Sequence, residues 1–144
     1  MPAKKKSEPE AALPGKRQTR QRLLVNEVVQ ASDGPLTVPE IHQQVCRRMP
    51  RTGIATVYRA VKLLLEKGWI QAVTLPTGDT RYESAELGHH HHFQCTECHR
   101  VFDIDHCPFS IPKGTELPGG FILRDHEMTL YGECPACRKP GTAR

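Results

Sequence analysis

The sequence of 144 residues predicts an α+β fold made of two dissimilar parts. Helical periodicity fills most of the first half, while strand formers and turns fill the second half. Charge divides at the same place: residues 1–70 carry 13 Lys and Arg against 6 Asp and Glu, whereas residues 71–144 carry 7 against 10. All histidines except His42, and all cysteines except Cys46, lie in the second part. We therefore expect a basic helical domain followed by a small domain rich in metal ligands.

Three helices separated by short turns are predicted in the first part. Residues 16–31 place apolar side chains at helical spacing. Thr37 and Glu40 form a capping box for a second helix that ends near Arg48. The third helix spans residues 53–67, is strongly amphipathic, and is expected to be capped by Thr52.

A β-hairpin is predicted directly after the third helix. Strand formers in residues 69–75 and 80–83 flank a turn of Pro, Thr, Gly and Asp. Three helices followed by such a hairpin are typical of a winged helix-turn-helix domain, here residues 16–84. Residues 1–15 are expected to be a flexible basic tail, residues 85–88 a hinge, and residues 139–144 a second tail.

The basic first part favours DNA binding. In helix-turn-helix proteins, the start of the recognition helix reaches base edges in the major groove, and flanking basic residues contact phosphates. The candidate base-reading residues are Ala55, Thr56, Tyr58 and Arg59. The candidate phosphate contacts are Arg17, Arg20, Arg22, Arg51 and Lys62.

Two Cys-x-x-Cys pairs predict a structural zinc site. Cys95, Cys98, Cys134 and Cys137 can supply four thiolates to a tetrahedral Zn²⁺, leaving no open position for catalysis. A small Pro- and Gly-rich domain needs such a metal to be stable. The alternatives are disulfides, thioredoxin-like redox pairs, or an iron site in an electron-transfer protein.

Four consecutive histidines, His89–His92, are the second cluster of candidate ligands. In an extended strand, alternate side chains face opposite sides, so His90 and His92 separate from His89 and His91. One strand can then contribute to two metal sites. Further candidate ligands are Glu83, Asp103, Asp105, His106, Cys107 and His126. Mixed nitrogen and oxygen ligands suit Zn²⁺, Fe²⁺ or Mn²⁺, while a purification tag or a solvated histidine run are the alternatives.

Several functional classes are excluded or disfavoured. No apolar run approaches the ~20 residues needed to span a bilayer, and the basic N-terminus lacks the apolar segment of a signal peptide. We therefore expect a cytoplasmic protein without a membrane partner. No nucleotide-binding loop or Ser/His/Asp arrangement is present, so an enzyme is not predicted.

Three segments together resemble the ferric uptake regulator (Fur) family. They are residues 53–60 (GIATVYRA), residues 89–98 (HHHHFQCTEC) and residues 126–137 (HEMTLYGECPAC). Members of that family are homodimeric, metal-activated repressors that sense iron, zinc, manganese or peroxide. The resemblance implies an N-terminal winged helix and a C-terminal α/β dimerisation domain, here residues 89–138.

The resemblance also implies a role for each matching position. The four cysteines match the structural zinc ligands, and Tyr58 and Arg59 match DNA-reading positions. The regulatory metal site between the domains matches Glu83, His90, His92 and Asp103. A further metal site in the dimerisation domain matches His89, His91 and His126.

The sequence departs from the family pattern in two places. Pro35 occupies a position where the regulatory site often has a histidine, and His42 matches a position usually filled by a packed aromatic residue or histidine. The segment between the cysteine pairs is rich in Pro and Gly, whereas the family has a helix that carries a Glu ligand. His106 and Cys107 are therefore the candidates for the fourth ligand of the further site.

The sequence thus predicts a metal-responsive repressor that binds double-stranded DNA as a homodimer. Cys107 and the histidine run favour zinc as the regulatory metal, with iron and peroxide sensing as alternatives within the family. An electron-transfer protein with a four-cysteine iron site, and a zinc-carrying interaction module, are the alternatives outside it.

Overall fold

The computed structural model describes residues 14–139. Most of the predicted basic tail, and all but the first residue of the predicted C-terminal tail, lie outside this range. Within it the fold is α+β, as predicted: three helices come first and seven short strands follow.

The three helices pack against one another around an aliphatic core. They are α1 (Pro14–Gln30), α2 (Val38–Arg48) and α3 (Ile54–Glu66). The side chains of Val25, Ile41 and Val57 are fully buried between them. The apolar stripes predicted from helical spacing are therefore the faces that form this core.

Helix α2 begins at the predicted capping box. The backbone N–H of Glu40 donates to Thr37 Oγ1 at 3.3 Å, and the backbone N–H of Thr37 donates to Glu40 Oε2 at 2.8 Å. Two of the N–H groups that a helix start leaves without partners are satisfied in this way.

The predicted cap of α3 is wrong by one residue. Gly53 is the N-cap and makes no side-chain cap bond, and its carbonyl accepts from the N–H of Thr56 at 3.1 Å. Thr52 is buried one residue earlier, and its carbonyl lies 2.8 Å from His42 Nε2. The packing of Thr52 against α2 thus takes it out of the capping position, and His42 is the packed residue that its sequence position suggested.

The hairpin after α3 is the predicted wing. Strand β1 (Ile70–Thr74) pairs antiparallel with β2 (Thr80–Ser84), placing Gln71 opposite Glu83. Leu36 adds an isolated bridge to Tyr82. Gly68 ends α3 with φ of 69°, a conformation that a side chain would strain.

The second part of the fold is built from strands and turns. A three-stranded sheet has the order β4 (Val101–Ile104), β3 (His91–Cys95), β7 (Thr129–Gly132), with β3 antiparallel to β4 and parallel to β7. A small separate hairpin joins β5 (Glu116–Leu117) to β6 (Phe121–Ile122).

Residues 85–139 contain no helix, so the family's helix between the cysteine pairs is missing here, as its Pro and Gly content predicts. Between β6 and β7, residues 123–128 have no regular structure.

Specific contacts hold the two parts together next to the histidine run. The backbone N–H of Asp103 donates to the carbonyl of Asp33 at 2.8 Å. The side chain of Arg81, 4% exposed, donates to the carbonyl of His99 in the second part at 3.1 Å, and it is held in place by Glu40 Oε2 of the first part at 2.8 Å. Gly34 packs directly on the backbone of β4. These contacts fix β2 and β4 relative to each other.

Among residues 14–139, no helix combines the length and the apolar character that a membrane-spanning segment requires.

Candidate metal centres and DNA-binding face

The first cluster of candidate ligands lies between the wing and the second sheet. Glu83 comes from β2, His90 precedes β3, His92 lies within β3, and Asp103 is its cross-strand neighbour on β4. One side-chain donor atom from each of the four lies within 4.8 Å of the others. We call this group the regulatory cluster, after the site that the family resemblance implies at these four positions.

The spacing within the regulatory cluster suits a small cation. The Nε2 atoms of His90 and His92 are 3.2 Å apart, and each lies 3.1 Å from Glu83 Oε2 and 3.7 Å from Asp103 Oδ1. A tetrahedral Zn²⁺ with ligand distances of about 2.0–2.2 Å places its ligands about 3.3–3.6 Å apart. Asp103 Oδ1 is buried without a hydrogen-bond partner among the described residues, which is the state of a ligand atom directed at a metal.

Hydrogen bonds outside the cluster orient two of its members. His90 Nδ1 lies 2.7 Å from the carbonyl of Gly88, so Nδ1 carries the proton and Nε2 is free to bind a metal. The amide of Gln71 donates to Glu83 Oε1 at 2.8 Å, leaving Oε2 directed at the histidines.

Ionisation in the cluster reflects burial and close pairing. Burial alone would raise the pKa of Glu83, but hydrogen bonds from His92, Gln71 and His90 lower it overall. Burial alone would lower the pKa of His90, but the Gly88 carbonyl and Glu83 raise it overall. Burial raises the pKa of Asp103, and the nearby charge of Glu83 adds to that rise. The metal-free cluster therefore favours a protonated His90 beside an ionised Glu83.

A second cluster occupies the other side of β3. It contains His89, His91, His126 and Cys107, again with all donor atoms within 4.8 Å. His126 Nε2 lies 3.2 Å from His91 Nε2 and 3.3 Å from the Cys107 thiol. His91 is 1% exposed, and burial together with the charges of His89 and His126 lowers its pKa. A neutral imidazole is the form that binds metals.

The two histidine clusters divide the run by odd and even position. His90 and His92 face Glu83 and Asp103, whereas His89 and His91 face His126. Of the two candidates for the fourth position in the second cluster, the structure brings in Cys107; His106 is exposed and outside the group. Asp105 is likewise exposed and belongs to neither cluster.

The four paired cysteines form the third cluster. Cys95 and Cys134 are buried, and the structure has no disulfide among the six cysteines of the described residues. Cys98 Sγ and Cys134 Sγ are 3.9 Å apart, close to the edge of about 3.8 Å expected for four sulfurs around Zn²⁺ at 2.3 Å.

Backbone N–H groups favour the deprotonated form of Cys95. The N–H groups of Cys98 and Cys134 point at the Cys95 sulfur and lower its pKa to about 6. Hydrogen bonds that Cys137 donates to Cys134 and Cys98 raise its pKa to about 12 without a metal. Cys95 is therefore readily deprotonated, and the thiolate is the form in which cysteine binds a divalent cation.

A cleft of ≈ 670 Å³ runs between β1 and residues 125–129 and is lined by members of both histidine clusters. It supplies an entry path for ions to each.

The candidate DNA-contacting residues are exposed or half-buried side chains of α1, of α3 and of the turn before α3. On α3, Ala55, Tyr58, Arg59 and Lys62 are exposed and Thr56 is half-buried. The Arg59 guanidinium donates to Thr56 Oγ1 at 3.3 Å, which restrains a long side chain at the start of the helix. The arginines proposed for phosphate contact are all exposed: Arg17, Arg20, Arg22 and Arg51.

Sequence reasoning did not find Gln71, the Gly88 carbonyl or Arg81 as parts of this architecture. Each acts through hydrogen bonds that depend on strand register or on packing between the two parts, and no local sequence signal marks them.

Comparison with known proteins identifies the family. The sequence pattern of the Ferric uptake regulator family matches residues 14–131, which cover all three helices and all three clusters apart from Cys134 and Cys137. The chain belongs to the ferric uptake regulator family. Members of this family are transcriptional regulators rather than enzymes, and this chain is accordingly a metal-responsive regulator of the family.

Relatives named for different metals are similar to the chain. It is 30% identical over 131 residues to the Ferric uptake regulation protein of Bordetella parapertussis, covering 87% of this chain and 91% of that protein. It is 28% identical over 125 residues to the Zinc uptake regulation protein of Mycobacterium tuberculosis, covering 86% and 96%. A solved structure described as a zinc-bound manganese uptake regulator matches with a TM-score of 0.68 and 28% identity, over 83% of this chain and 92% of that one.

Proposed function

We propose that this chain is a metal-activated transcriptional repressor whose regulatory site is the cluster of Glu83, His90, His92 and Asp103. It acts in the cytoplasm as a homodimer on a double-stranded DNA operator. The alternative of an electron-transfer protein has no support from the family to which the chain belongs.

One observation carries the proposal: the regulatory cluster draws ligands from both parts of the fold. Glu83 lies on the wing of the DNA-binding part, whereas His90, His92 and Asp103 belong to the other part. A divalent cation supplies a positive charge that all four donors share. Glu83 is then held against β3 and β4, which fixes the wing and the recognition helix relative to the second part.

Each ligand has a distinct contribution. Glu83 and Asp103 balance the charge of the cation, while His90 and His92 supply neutral nitrogens that discriminate against Mg²⁺ and Ca²⁺. Binding requires His90 to lose the proton that Glu83 otherwise stabilises.

The remaining two clusters have supporting roles. We assign Cys95, Cys98, Cys134 and Cys137 to structural Zn²⁺, because the four sulfurs come from two turns that β3 and β7 bring together. We assign His89, His91, His126 and Cys107 to a further site within the second part, without a ligand from the wing.

Within this proposal, zinc is the favoured regulatory metal. Four donors at tetrahedral spacing suit Zn²⁺. Cys107 adds a sulfur ligand to the further site, and Zn²⁺ is one of the ions that bind well to sulfur. Relatives named for iron, zinc and manganese are all similar to this chain, so similarity does not choose the metal. The argument for zinc is the set of donor atoms in this chain. Its test is to compare how well the three metals activate DNA binding.

The experiment titrates DNA binding with Zn²⁺, Fe²⁺ and Mn²⁺ in parallel, using protein stripped of exchangeable metal and with its residual metal content measured. We expect Zn²⁺ to activate binding at the lowest free concentration. Equal activation by all three ions, or activation by Fe²⁺ or Mn²⁺ alone, would refute the zinc assignment while leaving a metal-responsive repressor.

Four single His→Ala variants of the histidine run test the regulatory cluster itself. His90→Ala and His92→Ala should abolish metal-dependent DNA binding and leave the tightly held zinc in place, because these residues join the wing to the sheet. His89→Ala and His91→Ala should mainly lower bound metal per chain. Small, equal effects at all four positions would mean that the regulatory site lies elsewhere.

A further inference from the structure

Gln71 lies on the wing opposite Glu83, outside the four candidate ligands. Its side-chain amide contacts Glu83 Oε1 at 2.8 Å. Because an ionised carboxylate only accepts hydrogen bonds, the amide must present its NH₂ group, and this fixes the orientation of Gln71. One oxygen of Glu83 is thereby occupied by the protein itself.

Only the other oxygen of Glu83 faces the histidines. Oε2 lies 3.1 Å from the Nε2 atoms of both His90 and His92. The hydrogen bond from Gln71 occupies a lone pair of Oε1 and holds the carboxylate in place, which favours binding of a cation through Oε2 alone. The regulatory cluster therefore offers four donor atoms: two nitrogens, Glu83 Oε2 and Asp103 Oδ1.

Burial makes this restriction effective. Glu83 is 3% exposed, so the contact of its carboxylate with water is limited to the cleft that Gln71 also lines. Without Gln71, Oε1 becomes a free acceptor beside the cation, and Glu83 can bind through both oxygens. Four tetrahedral donors suit Zn²⁺, whereas Mn²⁺ prefers a larger set with more oxygens.

We propose that Gln71 is a specificity-determining residue: by holding Glu83 Oε1, it keeps the regulatory cluster at four donors and favours Zn²⁺ over Mn²⁺. This inference rests on the proposed assignment of that cluster as the regulatory site. Gln71 binds no metal itself; it acts by positioning Glu83.

The test replaces Gln71 by Met, which keeps an unbranched side chain of similar length and removes the donor. Thr74→Met is the matched control, since it puts the same side chain at another exposed position of β1. All proteins carry His126→Ala to weaken the further site, and zinc in the four-cysteine site is left in place. Zn²⁺ and Mn²⁺ affinities are measured by competition with chelators, and Co²⁺ is used as a spectroscopic probe.

We expect Gln71→Met to weaken Zn²⁺ binding about ten- to a hundred-fold, as is typical when a hydrogen bond that orients a ligand is lost. Mn²⁺ affinity should be unchanged or higher, so the preference for Zn²⁺ falls at least about tenfold. The visible bands of bound Co²⁺ should weaken, because they are most intense at four-coordinate tetrahedral sites. Thr74→Met should match the parent in all three measurements.

Two results would overturn the inference: one would exclude only the role of Gln71, and the other would also exclude the proposed regulatory site. If Gln71→Met keeps the parental ratio of Zn²⁺ to Mn²⁺ affinity, or shifts it no more than Thr74→Met, Gln71 does not determine specificity. If adding His90→Ala to the parent leaves the measured metal binding unchanged, the regulatory cluster is wrongly assigned, and the proposed function fails together with the role of Gln71. Melting curves of each variant confirm that the comparison is between folded proteins.

Discussion

Gly34→Ala should weaken metal binding at the regulatory cluster without replacing any of its four candidate ligands. A methyl group at this position would lie 2.0 Å from the carbonyl oxygen of Val101 and 2.8 Å from the Cα of Phe102. Both are backbone atoms of β4, so no side-chain rotation relieves the overlap. A carbon atom normally approaches a carbonyl oxygen to about 3.3 Å, and the turn and the strand must therefore separate by roughly 1.3 Å.

This separation acts on two measurable quantities. It breaks the bond from the Asp103 N–H to the Asp33 carbonyl, worth about 1 kcal/mol, and adds overpacking strain of about 1–3 kcal/mol. It also moves Asp103 relative to Glu83 by far more than the roughly 0.2 Å that metal–ligand distances tolerate. We expect the free energy of unfolding to fall by about 2–4 kcal/mol and metal affinity at the regulatory cluster to fall about ten- to a hundred-fold.

Denaturant unfolding and metal titration of the variant measure these effects. Gly88→Ala is the control, because a methyl group there meets nothing within 4 Å although Gly88 lies beside the cluster. If Gly34→Ala binds metal and DNA as the parent does, the contact between this turn and β4 does not position Asp103, and the reasoning is wrong.

Three further predictions address the four-cysteine site, the DNA-binding residues and the pH dependence of metal binding. Cys134→Ser should lose the tightly bound zinc and most of the cooperative unfolding transition, since structural zinc contributes roughly 10 kcal/mol or more in isolated peptides; zinc analysis with thermal melting checks this, and a parental melt would count against a structural role. Arg59→Ala should weaken operator binding by ~1–3 kcal/mol and relax sequence preference, whereas Arg22→Ala should weaken binding to all sequences and flatten its salt dependence; unchanged preference in Arg59→Ala would exclude base reading. Metal affinity at the regulatory cluster should rise with pH between about pH 5 and 8, because the raised pKa of His90 makes protons compete with the metal; titrations at several pH values that give a constant affinity would contradict this.

The shifted pKa values of His90 and Glu83 also make the stability of the metal-free protein depend on pH. The pKa of His90 is raised, so its pairing with Glu83 stabilises the fold fully below the ordinary histidine range and is lost as pH rises through the raised value. The pKa of Glu83 is lowered, so its contribution is present above the ordinary carboxyl range and is lost as pH falls through the lowered value. Pairing is therefore strongest between roughly pH 4.3 and 6.5.

Local patterns made much of the fold predictable. Helices α1, α2 and α3 follow apolar periodicity, and the capping box of Thr37 fixes the start of α2. The separation of His90 and His92 from His89 and His91 follows from the alternation of an extended chain, and the structure has the same grouping.

The remaining features depend on contacts that are distant in sequence. Thr52 has the chemistry of a cap, but its packing against α2 leaves Gly53 in that position. Cys107 joins the second cluster instead of its neighbour His106 because of the path of an irregular segment that no periodicity describes. Gln71 meets Glu83 only because of the register of β1 on β2.

Arg81 restricts how the two parts of the fold can move relative to each other. Two bodies joined by a short linker alone can rotate freely about it, but every additional tie away from the linker removes part of that freedom. The bond of Arg81 to the His99 carbonyl and the bond of the Asp103 N–H to the Asp33 carbonyl are such ties. A swing about residues 85–88 must break them together, so we expect the two parts to move between discrete docked and released arrangements instead of drifting continuously. The energy of those bonds then helps to set the metal concentration at which half of the operator is occupied.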